Sequence, residues 1–309
     1  MAKKTKGQDL AEKLTWSAPN IGKEAPKQTS KANKFCEGYK QFLNEAKTER
    51  ECVTAIVYRL SKAGYRPYDK HAVYHPGDKV YYVNRKKSVI ATTFGAEPLE
   101  AGLRLNGAHI DSPRLDLKPN PLYEKDDMAL FKTHYYGGIR KYQWTAIPLA
   151  IHGVVVKKNG EIVNVVIGED EKDPVFCVTD LLPHLAAKQN ERKLGDGIRG
   201  EELNVVIGSL PYQDEAVKEP VKLLALQLLY EKYGMTEADF YRAEIEIVPA
   251  FKAVDVGLDR SMVGAYGQDD RVCAYTALMA EIEMETPTYT TVTIFADKEE
   301  IGSDGNTGL

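Results

Sequence analysis

Three short segments of this chain hold the residue types that metal-assisted hydrolysis requires. A β-branched run, Thr290-Thr-Val-Thr-Ile294, leads through Phe295-Ala-Asp-Lys into two adjacent acids, Glu299 and Glu300. Adjacent carboxylates at the end of a buried strand are costly unless a cation or a proton stabilises them. The alternative is a solvated strand end. In Gly107-Ala-His-Ile-Asp-Ser-Pro113, His109 precedes Asp111 by two residues, so on extended chain both side chains leave on one side. A carboxylate beside an imidazole fixes its tautomer, as it does behind a metal-ligating histidine; a structural histidine held by the same acid is the other reading. Gln268-Asp269-Asp270-Arg271 opens a helix, where aspartate is also a favoured N-cap. Taken together, one imidazole and several carboxylates form a donor set suited to zinc or a similar divalent ion. The doubled aspartate offers a carboxylate that can bridge two ions. Their wide separation is no obstacle, because open α/β sheets gather site residues from several strand ends onto one edge.

The intervening sequence predicts the elements that must position these groups. Residues 1 to about 32 are rich in Lys, Pro, Asn and Gln and read as an extended arm. From Lys34 to Ala63 apolar residues recur at helical spacing, with Gly64 as the stop. Lys79–Val83 and Ser88–Thr93 read as a hairpin, and a further strand near Gly102–Asn106 runs into the His109 segment. After Pro119-Asn-Pro121 the texture becomes β-rich, with Trp144–Val156 and Ile162–Ile167 joined by a Lys-Asn-Gly turn. A helix over Val221–Tyr233, a strand over Ala243–Val248, a helix over Val272–Glu283 and the terminal strand complete the pattern. The expected fold class is α/β: a mixed sheet flanked by helices, interrupted by an inserted β-rich domain.

Composition narrows the function classes. Charged residues make up 28% of the 309 and the formal net charge is −4, without the basic excess of a nucleic-acid binder. No apolar stretch approaches the ~20 residues needed to span a bilayer, and the basic N-terminus has no apolar region behind it. A cytoplasmic protein with no nucleic-acid or membrane partner is expected. The four cysteines are far apart, which argues against a disulfide framework or a zinc knuckle and predicts mostly buried, reduced thiols. His71 and His75 flank a turn and read as surface residues, and Gly302-Ser-Asp-Gly305 lacks the ending of a phosphate loop.

With Tyr136-Gly-Gly138 between them, the three segments resemble, in order and in register from about residue 30 onward, the aspartyl aminopeptidase and vacuolar aminopeptidase I family. The resemblance implies a co-catalytic zinc exopeptidase holding two divalent ions, zinc first and cobalt or manganese as alternatives. It implies metal ligands at His109, Asp269 (bridging) and Glu300, with Glu299 as general base and Asp111 as the acid that orients His109. It also implies a cis peptide between Asp269 and Asp270. Residues 1–118 and 249–309 would form the metallopeptidase domain and 119–248 a dimerisation domain, in dimers that assemble into a dodecameric homo-oligomer acting on peptides. The family's remaining ligands, an acid and a late histidine, are expected beyond Leu309, which makes this a C-terminally incomplete copy. Lys188 stands near a position where aspartyl-specific relatives carry histidine, which implies a broader side-chain preference. A catalytically incomplete assembly subunit and a non-peptidase amidohydrolase on the same scaffold are the competing readings.

Overall fold

The computed structural model describes residues 4–308. It opens with α1 (Lys6–Leu14), α2 (Ile21–Glu24), α3 (Pro26–Glu45) and α4 (Glu49–Lys62). The N-terminal segment is therefore helical and not an extended arm. Thr5 and Gln8 form a capping box that starts α1, and Pro26 occupies the first turn of α3, where its missing N–H costs nothing. The helical stretch expected over Lys34–Ala63 is two helices. Thr48 caps α4, and the Glu51 side chain returns to the Thr48 and Lys47 amides at 3.0 and 3.1 Å, which breaks the chain direction between Ala46 and Thr48.

The chain then forms β1 (Arg66–Pro67), β2 (Lys79–Asn84), β3 (Ser88–Thr93) and β4 (Leu103–His109) before entering a second sheet. That sheet contains β5 (Arg114–Lys125), β6 (Met128–Tyr136), β7 (Leu149–Val156), β8 (Ile162–Ile167) and β9 (Cys177–Val178). After the short α5 (Ala187–Asn190) come β10 (Val205–Gly208), α6 (Pro220–Tyr233) and β11 (Ala243–Pro249). A small hairpin, β12 (Val254–Val256) and β13 (Met262–Gly264), precedes α7 (Gln268–Glu283) and β14 (Thr290–Ala296). The first sheet is mixed, in the order β1-β2-β3-β14-β4, and the second runs β8-β7-β11-β5-β6-β10-β9. Pro119 and Pro121 lie inside β5, where its pairing with β6 breaks register between Leu117 and Leu122. A bulge is where a strand tolerates residues that cannot donate to the ladder.

Each sheet has its own apolar core. Phe42, Ile56, Leu60, Val89, Ile110, Leu278 and Phe295 pack around the first sheet, and Leu115, Phe131, Leu149, Val155, Leu203 and Ile247 around the second. Of the four cysteines only Cys52 is buried. Cys36 and Cys177 are half-buried and Cys273 is exposed, because α7 turns the neighbouring Ala274 inward instead.

Charges join the two layers. His152 on β7 is buried between Glu51 of α4 (2.7 Å) and Glu169 (3.0 Å), and Glu169 also meets Lys47 at 2.8 Å. Burial alone would lower the His152 pKa, but Glu169 and Glu51 outweigh it and raise it above the ordinary value. Burial likewise opposes ionisation of Glu169, yet His152, Lys252 and Lys47 hold it down at about 2. Arg271 of α7 is fully buried. Its guanidinium donates to Ser112 Oγ (2.8 Å), the Lys47 and Ile110 carbonyls (2.9 and 3.2 Å) and Cys52 Sγ (3.0 Å).

Both sets of contacts can be tested by substitution. His152 stabilises the junction fully below the ordinary histidine pKa of about 6.5, and that contribution is lost as pH rises through its raised folded value. Thermal unfolding should therefore show His152→Gln costing more at pH 6 than at pH 9; an equal loss at both would exclude the charged bridge. Arg271→Lys loses the planar fork and should cost at least ~2 kcal/mol in urea unfolding, and an unchanged midpoint would count against this role.

Candidate metal centre

The centre forms where two parallel strands end together. β4 and β14 pair in register from Leu103 opposite Thr290 to His109 opposite Ala296. The Ile110 amide continues the ladder to the Ala296 carbonyl at 2.8 Å. Asp111, just past the end of β4, and Glu299–Glu300, just past the end of β14, therefore leave at the same edge. Lys298 takes a left-handed conformation, φ 67°, and leads into a single helical turn over Glu299–Ile301. That turn aims two free amides at Asp111: Glu299 N–H donates to Oδ1 and Glu300 N–H to Oδ2, both at 3.2 Å. Helix-start amides are ready donors to a carboxylate.

Asp111 is fully buried and also lies beside the imidazole, with His109 Nδ1 at 3.3 Å from Oδ1 and 3.0 Å from its backbone carbonyl. Burial disfavours the His109 cation, but Asp111 outweighs it and the pKa rises to about 9. The other ring nitrogen, Nε2, faces Asp269 Oδ1 at 3.2 Å and Glu299 Oε2 at 3.7 Å. One ligand atom each from His109, Asp269 and Glu300 lies within 4.8 Å of the others. Burial pushes Glu300 above the ordinary carboxylate range, and Asp269, Asp111 and Glu299 add to it against the opposing charge of His109. Acids that raise one another in this way are relieved by a cation. An imidazole with two carboxylates is a donor set that zinc accepts, so the residues fit a divalent ion.

Asp269 does not cap its helix. Gly267 begins the turn at φ 76° and Asp269 itself is non-helical, with its side chain 86% exposed. The Asp269–Asp270 peptide is cis, as the resemblance implies. The Asp269 carbonyl is fixed by Ser112 Oγ at 2.8 Å, and Ser112 is in turn held by Arg271. A side chain on Gly267 would begin 1.7 Å from the Arg271 guanidinium, so this crossing needs glycine both for its φ and for space.

The second sheet reaches the same place. Tyr136, at the end of β6, donates its hydroxyl to Asp111 Oδ2 at 2.7 Å. The neighbouring Gly137, φ 72°, lies so close that a Cβ would stand 3.1 Å from that of Glu300. His134, two residues before Tyr136, is exposed and stacks on Tyr135. His71 and His75 are exposed in the loop before β2. Ser112, Tyr136 and Arg271 are the supporting residues that spacing did not single out; the only sequence signal was their place inside or beside the three segments. A cleft of about 540 Å³, lined by Pro113, Ile139, Trp144, Phe251 and Tyr266, opens beside Ser112 and Asp269. A second acidic group, Glu49 with Glu244 and Glu246, differs in having cationic partners of its own, Lys87, Arg50 and Arg114.

The chain is similar to known proteins along most of its length. Residues 42–309 match the family model described as aminopeptidase I zinc metalloprotease (M18). A probable M18 family aminopeptidase 1 from Clostridium acetobutylicum is 55% identical over 275 residues, 88% of this chain and 59% of the relative. The crystal structure of an M18 family aminopeptidase from Thermotoga maritima superposes with a TM-score of 0.89 at 48% identity, covering 95% of this chain and 64% of that one. An aminopeptidase I structure from Clostridium acetobutylicum gives 0.87 at 50% identity, covering 96% and 66%. The chain thus spans about three fifths of the length of the relatives it matches. On the family match and these identities, the chain belongs to the aminopeptidase I zinc metalloproteases of family M18.

Proposed function

We propose that this chain carries the core of a metal-dependent aminopeptidase that hydrolyses the N-terminal peptide bond of peptides. The observation that carries the reading is the meeting of His109, Asp269 and Glu300 within 4.8 Å, with Glu299 alongside at the same strand ends. His109 and Glu300 would hold one divalent ion, and Asp269, whose carboxylate stands open to solvent, would bridge it to a second. Bound ions of this kind lower the pKa of water and polarise the scissile carbonyl.

The protein groups supply positioning and proton transfer. Glu299 is half-exposed and within 3.7 Å of His109 Nε2, so its carboxylate can take a proton from the attacking water and return it to the leaving amine. Asp111 holds His109 in one tautomer, with Nδ1 turned to the acid and Nε2 left for a ligand. The same acid fixes the backbone of Glu299 and Glu300, so base and ligand are set by one group.

The domain division is part of the proposal: 1–118 with 249–309 as the metallopeptidase unit, and 119–248 as an inserted dimerisation unit within a larger homo-oligomer. A second sheet drawn wholly from the contiguous stretch Arg114–Pro249 supports it. So do Leu182, Leu185 and Leu194, which stand exposed on its excursions. Light scattering should give a mass that is a multiple of 34.5 kDa, and a monomer at working concentration would remove the assembly from the reading.

Activity is tested with a panel of aminoacyl chromogenic substrates in zinc, cobalt or manganese. Turnover should disappear with a chelator and return with metal. Glu299→Gln should keep its metal content while kcat falls at least ~100-fold, the usual scale for a general base. A variant that retained most of its kcat would exclude Glu299 from that role.

A further inference from the structure

We propose that Tyr136 is a positioning residue of the metal centre, through which the second sheet sets the geometry of the His109 ligand. The inference rests on the reading of that centre as metal-binding. Asp111 is buried and meets the far ring nitrogen of His109 and the backbone amides of Glu299 and Glu300; it acts by aiming these three residues. Its only side-chain hydroxyl partner among the described residues is Tyr136, at 2.7 Å from Oδ2. The two amides that share Asp111 come from the very turn it orients, and His109 is the residue it aims. Among the described residues, Tyr136 alone ties the carboxylate to the second sheet.

The tyrosine is itself clamped. Its ring lies beneath the Arg114 guanidinium, 3.8 Å from Cζ to the ring centroid. Arg114 is buried and bonded to Asp116 at 2.7 Å, with Glu246 and Glu49 each at 3.3 Å. Asp116 and Glu246 belong to β5 and β11, whereas Glu49 starts α4. The phenol is therefore held against a guanidinium that charges from both layers fix in place. The next residue, Gly137, lies close enough to Glu300 that an added Cβ would stand 3.1 Å from the glutamate's own. Tyr136, the last residue of β6, thus holds the acid behind one proposed ligand, and the residue after it lies beside the side chain of another.

A buried tyrosine can also be a satisfied core residue and nothing more. Tyr65 provides that comparison: its hydroxyl is buried and bonded to Thr93 at 2.7 Å and to Glu281 at 3.0 Å, within the first core. Removing the Tyr136 hydroxyl takes away one buried hydrogen bond and removing that of Tyr65 takes away more, since it meets both Thr93 and Glu281; of the two, only Tyr136 reaches the centre.

The test titrates metal-free full-length protein with zinc against a chromophoric chelator, for the unmodified chain, Tyr136→Phe and Tyr65→Phe, well below each variant's unfolding midpoint. Tyr136→Phe should weaken zinc binding by about 10-fold or more, as loss of a ligand-orienting partner does, while Tyr65→Phe stays within about 2-fold of the unmodified chain. The visible spectrum of the cobalt-loaded protein gives a second measurement, which should change in Tyr136→Phe and not in Tyr65→Phe. Zinc affinity and cobalt spectrum both unchanged in Tyr136→Phe would reduce Tyr136 to a core residue and overturn the proposal. Equal weakening in both variants would assign the effect to general loosening and overturn it too. An unmodified chain that binds no zinc would instead overturn the reading of the centre on which the proposal rests.

Discussion

A carboxylate taken out of water must find donors or a cation, because its desolvation is otherwise prohibitive. Asp111 is such a group, and the need to satisfy it dictates the arrangement around it. Two amides come from the turn after β14, a hydroxyl from the end of β6, and the imidazole from the end of β4. Each donor carries a consequence for the site: the amides fix where Glu299 and Glu300 begin, and the imidazole is left with one nitrogen facing Asp269. With His109 against it, and with Tyr136 and the Glu300 amide donating, the Asp111 pKa lies below the ordinary value even though burial opposes this. A single buried charge therefore organises residues that lie 188 positions apart in the chain.

Docking of the second sheet is governed by the same electrostatics on a larger scale. Lys87 of the first layer meets both Glu49 and Glu244, and Arg114 of the second meets Glu49, Asp116 and Glu246. Burial opposes ionisation of Glu49, but Arg114 and Lys87 prevail and hold its pKa far down. Glu246, buried beside Glu49, is driven the other way, so the two acids divide the available positive charge unequally. Breaking one partner of a buried pair typically costs ~3–5 kcal/mol because the other is left uncompensated. Apolar packing alone would tolerate small slips between the sheets. A charged seam of this kind does not, and the placement of Tyr136 depends on that difference.

Much of the centre was legible in the sequence because strand geometry is local. A His-x-Asp pair at a strand end must present both groups to one side, and His109 with Asp111 does so. The acids after Thr290–Ala296 were visible for the same reason. Asp269 was harder: at a helix start an aspartate reads as a cap, and only the left-handed Gly267 and the non-helical backbone after it turn its carboxylate outward. The helix boundary at Thr48 was hidden because apolar spacing runs on through Ala46 and Cys52. The helices before residue 32 were hidden by polar composition, although Thr5 with Gln8 was a capping signal in plain view. The contact between Tyr136 and Asp111 could not be read at all, since it depends on how two sheets meet.

The protein contains a direct contrast that shows why the acids at the strand ends differ from other buried acids. Glu281 is fully buried and receives hydroxyls from Thr93 (2.7 Å), Tyr65 (3.0 Å) and Thr291 (3.2 Å) on one oxygen and Thr293 (2.8 Å) on the other. There the fold satisfies a carboxylate with neutral donors, and the site is closed. Past the far end of β14, the strand that supplies Thr291 and Thr293, Glu299, Glu300 and Asp269 converge on one imidazole, and burial with its acidic neighbours raises Glu300. A chain that surrounds Glu281 with threonines could have done the same here. That it gathers acids around His109 instead leaves a concentration of negative charge that a divalent cation matches in sign, in donor type and in place.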